Sequence, residues 1–301
     1  MREFIWECLP PGEWKKAVPW EEVEELRLRR GKPAEAVCFD RVLELACRPD
    51  AEAIRKTVTA LAERSLYAYA EQMRQGFLTL CGGVRVGLAG RAVMEAGRIL
   101  RLEDITSLNL RFPREVRGAA RGVLPYLLER GRLRNTLIVS PPQQGKTTLL
   151  RDLIRCTADG EGCRAQKCAV IDEREELWAE GFDLGRRADV LRCTKRVGIP
   201  LAVRTLSPEC IATDELGDPA EFRALTQAAY CGIRILATAH GRDLADVRAK
   251  PFFRAAEGLC FDRFVLLSEE LGRGTVGQIL DGEGRALLRH PLPGRGLSHA
   301  V

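Results

Sequence analysis

Lys146, Thr147 and Thr148 follow Gly145 at the end of Ser140-Pro141-Pro142-Gln143-Gln144, directly after the apolar run Leu137, Ile138, Val139. This order of residue types suits the capture of a triphosphate. A helix start offers backbone N–H groups without intrahelical partners and the positive end of the helix dipole. A lysine at that point adds a mobile cation for the β and γ phosphates, and the next hydroxyl can ligate Mg²⁺. The stretch Ser140–Thr148 therefore predicts an ATP-binding loop, with Lys146 on the phosphates and Thr147 on Mg²⁺. The full phosphate-loop pattern has glycine five residues before Gly145, where this chain carries Ser140.

A second group lies about 70 residues downstream. Cys210-Ile-Ala-Thr-Asp-Glu215 is an apolar run ending in two carboxylates. A strand ending this way delivers both acids to the carboxyl edge of a parallel sheet, where open α/β folds bind ligands. Asp214 is the candidate for the Mg²⁺ shell and Glu215 for activating water. Ile171-Asp172-Glu173-Arg174-Glu175-Glu176 also follows an apolar run and is expected at the same edge, so Glu173 and Glu176 remain alternative bases. Thr238-Ala-His240 ends a further apolar run, which makes His240 a candidate γ-phosphate sensor. Arg204, Arg186 and Arg187 are candidates for a charge-stabilising arginine, from the same subunit or a neighbour.

The elements that must position these groups follow from periodicity. Apolar runs at 136–140, 168–172, 209–214, 233–238, 261–267 and 275–280 read as strands, with helices after the first, third and fourth. Such alternation predicts a mostly parallel sheet covered on both faces. The last two strands read as an antiparallel hairpin turning at 270–274. Upstream, Glu25–Arg29 and Ala36–Phe39 flank Arg30-Gly-Lys-Pro33 as a hairpin. A helix of about seven turns is expected from Pro49-Asp50 to Gly76. Residues 82–100 read as bulged strands and 105–112 as one more strand. The polar segment Glu129–Asn135 suggests a boundary between a domain at 1–130 and another at 131–301.

Composition narrows the class. Of 301 residues, 46% are hydrophobic and 30% charged, with a net charge of +5, as in an ordinary globular protein with no strong pull toward nucleic acid. No apolar run approaches the ~20 residues of a membrane span, and the N-terminus lacks the apolar core of a signal peptide. The 11 cysteines have no Cys-x-x-Cys pair and read as free thiols in a reducing cytoplasm. Arg114, Arg117 and Arg121 would share one face of a helix, which leaves open a nucleic-acid-stimulated ATPase. Against it, only 6% of residues are aromatic, a thin supply for base stacking.

Several stretches resemble one family. Ser140-Pro-Pro-Gln-Gln-Gly-Lys-Thr-Thr148, Ile171-Asp-Glu-Arg174, Arg187-Ala-Asp-Val-Leu191, Ser207-Pro208, Gly87-Leu-Ala-Gly-Arg91 and Ser107–Val116 are similar to the stage III sporulation protein AA family. The order Arg204…Asp214-Glu215…His240 resembles the type II/IV secretion ATPases. The resemblance implies an α/β fold with a RecA-like P-loop NTPase domain preceded by a smaller α+β domain. It also implies a cytoplasmic ATPase of the mother cell in endospore-forming bacteria, assembled as a ring, a hexamer by analogy. Its partners would be membrane-embedded sporulation channel proteins.

Overall fold

The computed structural model describes residues 2–38, 41–62, 76–80, 83–95, 98–113, 115–178, 182–254, 261–268, 271–288 and 290–293. The chain divides into two compact units, Met1–Arg114 and Glu115–Trp178 with Phe182–Val301. The division falls at residue 114, some 16 residues before the expected boundary at 130. The reason is packing: Ala120, Val123, Leu124 and Leu127 are buried in the core of the second unit. An apolar segment of this kind belongs to whichever core covers it, whatever the polarity of the linker beyond it.

In the first unit, one antiparallel sheet of six strands carries helices α1 (Arg2–Cys8) and α2 (Ala51–Ala62). The strands are β1 (Val23–Arg29), β2 (Ala34–Cys38), β3 (Val42–Leu45), β4 (Phe77–Thr79), β5 (Arg85–Glu95) and β6 (Arg98–Arg111). Their order is β3-β2-β1-β6-β5-β4. The expected hairpin over 30–33 joins β1 to β2. Alternation in β1 sends Leu26 and Leu28 into a core shared with Ile54, Val58 and Leu61 of α2, as a half-buried sheet requires. The strand expected at 105–112 is the end of the longer β6. Of the long helix expected from residue 49, Ala51–Ala62 is helical, and 63–75 lie outside the described residues.

The second unit holds a small hairpin, β7 (Leu128–Glu129) and β8 (Arg132–Leu133), and a seven-stranded sheet. The sheet strands are β9 (Thr136–Ser140), β10 (Cys168–Ile171), β11 (Ala188–Leu191), β12 (Cys210–Thr213), β13 (Arg234–His240), β14 (Arg263–Leu267) and β15 (Val276–Asp281). Their order is β11-β10-β12-β13-β9-β14-β15, parallel except for the β14–β15 hairpin. The central strands β9, β10 and β12 are buried throughout. Ile138 packs into one apolar cluster, while Leu137 and Val139 pack into another. The sheet is therefore covered on both faces.

The helices are α3 (Leu124–Leu127), α4 (Lys146–Asp159), α5 (Lys195–Thr205), α6 (Pro219–Tyr230), α7 (Leu244–Ala249) and α8 (Pro251–Arg254). Strand β11 and helix α5 were not expected. Helix α5 carries Gly198 and an internal Pro200, both of which weaken a helical pattern. Tertiary packing supports it instead: a Cβ at Gly198 would lie 2.8 Å from the Ile171 side chain. The helix expected to align Arg117 with Arg121 is not formed, since residues 117–123 are turns. Arg114 lies outside the described residues.

Candidate nucleotide site

Four groups of residues from the carboxyl edge of the parallel sheet meet at one place. Strand β9 ends at Ser140, and His240 at the end of β13 is its register partner. Strand β12, on the other side of β13 from β9, delivers Asp214 and Glu215. Strand β10 delivers Asp172 and the loop after it. The loop 141–145 runs from Ser140 to Lys146, the first residue of α4.

Gly145 caps that helix with φ 93°, a left-handed conformation glycine adopts without strain. A Cβ there would also stand 3.4 Å from Cα of Gly274, in the turn between β14 and β15. The Gly274 amide donates to the Gln144 carbonyl at 3.1 Å, so that turn braces the loop. Thr147 and Thr148 are half-exposed at the helix start. Among the described residues, the amides of Gly145, Lys146, Thr147 and Thr148 have no backbone acceptor. Pro142 and Gln143 are exposed, and Gln143 is left-handed at φ 63°.

Lys146 is buried, and its ammonium is folded back onto its own loop. It donates to the carbonyls of Ser140 and Pro141, each at 3.0 Å, and lies 3.0 Å from Nδ1 of His240. Burial pushes its pKa down to about 8, an effect that Glu215 opposes and Lys250 reinforces. With Lys146 as donor, Nδ1 of His240 is the acceptor and the ring proton sits on Nε2. That Nε2 faces Oε1 of Glu215 at 3.1 Å.

Glu215 is held by two further contacts and has a strained backbone. Its amide donates to Oγ1 of Thr238 at 2.7 Å, its carboxylate is paired with Arg174, and its backbone is left-handed at φ 42°. A non-glycine residue in that conformation persists only when its surroundings enforce it. Thr238 also accepts from Leu216 through its carbonyl at 2.8 Å.

Asp214 is the contrasting neighbour. It is 1% exposed, and neither carboxylate oxygen has a hydrogen-bond partner. Burial pushes its pKa up to about 7, opposed by Lys195 and reinforced by Asp172, Glu176 and Glu215. A buried carboxylate without donors is costly unless a cation meets it. With the hydroxyl of Thr147 in the first turn of α4, the donor set is hard oxygen, the chemistry Mg²⁺ takes. The residues present fit that ion.

The loop after β10 is organised by Asp172, which is fully buried. Its carboxylate accepts from the amides of Glu176, Leu177 and Trp178 at 2.8–3.1 Å. Glu173 is turned toward Lys195, pairing with Nζ at 3.1 Å and accepting from the Lys195 amide. Arg174, Lys195 and Thr238 were not singled out from the sequence as site residues, because ion pairs across 41 or 22 positions leave no periodic signal. Glu221, 3.8 Å from the Lys195 ammonium, was legible only as part of the capping box Asp218-Pro219-x-Glu221.

The three candidate arginines lie elsewhere. Arg186 and Arg187 precede β11, whose first residue pairs with the first residue of β10. That is the amino edge of the sheet, opposite the loop. Arg186 pairs with Asp159 there. Arg204 sits in the last turn of α5, which starts beside Glu173 and runs away for about 15 Å at 1.5 Å per residue. None of them reaches the site of its own chain. Arg117 is paired with Glu115 and Asp183, so it does not form a free basic face.

Burial pushes the Cys156 thiol up to about 12, a packed rather than reactive sulfur. Among the described residues no helix is long and apolar enough to cross a membrane.

Residues 14–287 match the family described as sporulation stage III, protein AA. The chain belongs to that family. It is 38% identical over 278 residues, 90% of each chain, to stage III sporulation protein AA of Bacillus subtilis (strain 168). Among solved structures, the ATPase DotB of Yersinia pseudotuberculosis superposes with a TM-score of 0.59 at 13% identity, covering 93% of this chain and 78% of that one. The pilus retraction motor PilT with bound ADP gives 0.57 at 13% identity, covering 84% and 76%. At these identities the likeness concerns the fold, an α/β, RecA-like P-loop arrangement with an antiparallel sheet domain ahead of it. In this member of the sporulation stage III AA family, the loop begins at Ser140, whose carbonyl and hydroxyl both lie within reach of the Lys146 ammonium at 3.0 and 3.3 Å.

Proposed function

We propose that this chain is a Mg²⁺-dependent ATPase that does mechanical work on a membrane-embedded complex during endospore formation. The observation that carries the reading is the buried, partnerless carboxylate of Asp214 beside a glycine-capped helix start that offers unpaired amides and Lys146. The family membership and the ATPases sharing the fold support it.

ATP would enter with its phosphates against the amides of 143–148. Lys146 then leaves the carbonyls of Ser140 and Pro141 for the β and γ phosphates. Thr147 and Asp214 would hold Mg²⁺, which supplies charge neutralisation on the phosphates when bound. Glu215 accepts a proton from the attacking water, whose oxygen forms the new bond to γ-phosphorus as the bond to the ADP oxygen breaks. His240, released from Lys146 at Nδ1 while Nε2 stays on Glu215, senses the γ-phosphate. Arg174 positions Glu215. An arginine from a neighbouring subunit, Arg204 or one of the Arg186–Arg187 pair, completes the site in a ring-shaped assembly in the mother-cell cytoplasm.

The test is phosphate release by the purified chain over a concentration series, with and without single-stranded DNA. Turnover per subunit that rises with concentration and ignores DNA is expected. Turnover strongly stimulated by DNA would replace this reading with a nucleic-acid motor, and absence of ATP binding would end it.

A further inference from the structure

The first unit contains a cleft whose chemistry its own fold leaves unanswered. Glu3, Trp6 and Glu7 of α1, with Trp20, line an open cleft of about 470 Å³. Trp6 and Trp20 form its aromatic walls, their ring centres 5.6 Å apart and inclined at 50°. Both walls are fixed from behind. Trp20 rests on the edge of Phe112 at 5.9 Å and donates its indole N–H to the Lys15 carbonyl at 3.2 Å. The buried Lys15 ammonium donates in turn to the Trp6 carbonyl at 2.6 Å. Rings held this way lose little freedom when a ligand arrives.

Glu3 and Glu7 stand one helical turn apart and so share a face. Both are exposed, and neither has a hydrogen bond or ion pair among the described residues. Other acids of the unit are answered: Glu13, Glu22, Glu35, Glu52 and Glu103 each pair with a lysine or arginine. Two like charges at this spacing repel, and a cation between them removes the repulsion. Indole faces attract the same kind of group. The Lys15 ammonium already stands 5.7 Å from the Trp6 ring centre, which leaves Trp20 as the face for an incoming cation. An apolar occupant would bury both carboxylates unpaired, and an anion would be repelled.

We propose that this cleft binds an arginine side chain of a partner protein, with the guanidinium stacked on indole and bonded to the carboxylates of Glu3 and Glu7. Arginine is favoured over lysine because its planar, weakly hydrated fork can stack and pair with carboxylates at once.

The test titrates the full chain with the peptide acetyl-Gly-Arg-Gly-Arg-Gly-amide, following tryptophan fluorescence and heat. Saturable binding with a Kd on the order of 1 mM or below is expected, weakening as salt rises. The lysine counterpart should bind about tenfold more weakly. The double variant E3Q/E7Q, which alters only exposed side chains, should lose the binding while keeping its circular dichroism and ATP turnover. Absence of saturation up to about 10 mM, equal affinity for E3Q/E7Q, or equal binding of a glutamine counterpart would overturn the proposal. So would self-association of the wild type that E3Q/E7Q abolishes, because the occupant would then be a second copy.

Discussion

Nζ of Lys146 and Nδ1 of His240 lie 3.0 Å apart although 94 residues separate them. The contact exists because Ser140 and His240 are register partners at the ends of adjacent parallel strands, with Lys146 closing the loop that leaves Ser140. Through the other ring nitrogen, His240 reaches Glu215, and Glu215 reaches Arg174. The candidate phosphate-binding lysine and the candidate base are therefore joined by one side chain, and drawing Lys146 onto a phosphate would break the first link of that chain.

Lys146 has a pKa of about 8 when folded back, and a bound polyphosphate favours its charged form. ATP binding should thus take up close to one proton at pH 9 and almost none from this group at pH 7. Calorimetry in buffers of different ionisation enthalpy measures this directly. Lys146→Ala should abolish ATP binding altogether, and retained micromolar binding by that variant would remove the lysine from the site.

Glu215→Gln should leave ATP affinity near that of the wild type and lower turnover by ~10²–10⁴-fold, the usual range for loss of a positioned base. Single-turnover hydrolysis separates the two effects. Unchanged turnover would move the proton-accepting role to Glu173 or Glu176.

Asp214 offers a signed pH test. Its folded pKa of about 7 lies above the ordinary 3.8, so the folded state binds the extra proton. The associated stability is present below pH 3.8 and is lost as pH rises from there through about 7. Asp214→Asn should therefore gain on the wild type across that window, by up to about 4 kcal/mol in Mg²⁺-free buffer. Added Mg²⁺ should raise the melting temperature of the wild type at pH 8 but not that of the variant. Thermal unfolding across pH decides it.

Arg174→Ala should cut turnover about 10- to 100-fold with little change in ATP affinity, because it positions Glu215 rather than touching substrate. Arg174→Lys should recover part of the loss. Equal losses in both variants, or a loss confined to ATP affinity, would contradict a positioning role.

The distance of Arg204 from its own site leads to a complementation experiment. Arg204→Ala and Lys146→Ala should each be inactive alone, yet mixing them should restore measurable turnover. In the mixed assembly, one subunit supplies an intact loop and its neighbour the arginine. No recovery on mixing, with assembly intact, would exclude Arg204 acting in trans and direct attention to Arg186 and Arg187.

The local sequence determined the buried strands around the site and their ends. Leu137-Ile-Val, Cys168-Ala-Val-Ile and Cys210-Ile-Ala-Thr are short apolar runs that can only be buried on both faces, and the polar residues after them mark the carboxyl edge of the sheet. Glycine before Lys-Thr fixed the helix start, since a left-handed cap precedes Lys146. What the sequence left open depended on partners far along the chain. Helix α5, with its internal proline, is stable because Gly198 lets it approach Ile171. The sixteen residues beyond Arg114 join the second unit because its core covers them. The separation of Asp214 from Glu215, one partnerless and the other held by three residues, arises from strand order, which brings His240 and Arg174 to the Glu215 carboxylate and Thr238 to its amide. Periodicity encodes which face a residue takes, whereas long-range electrostatics and register decide what it meets there.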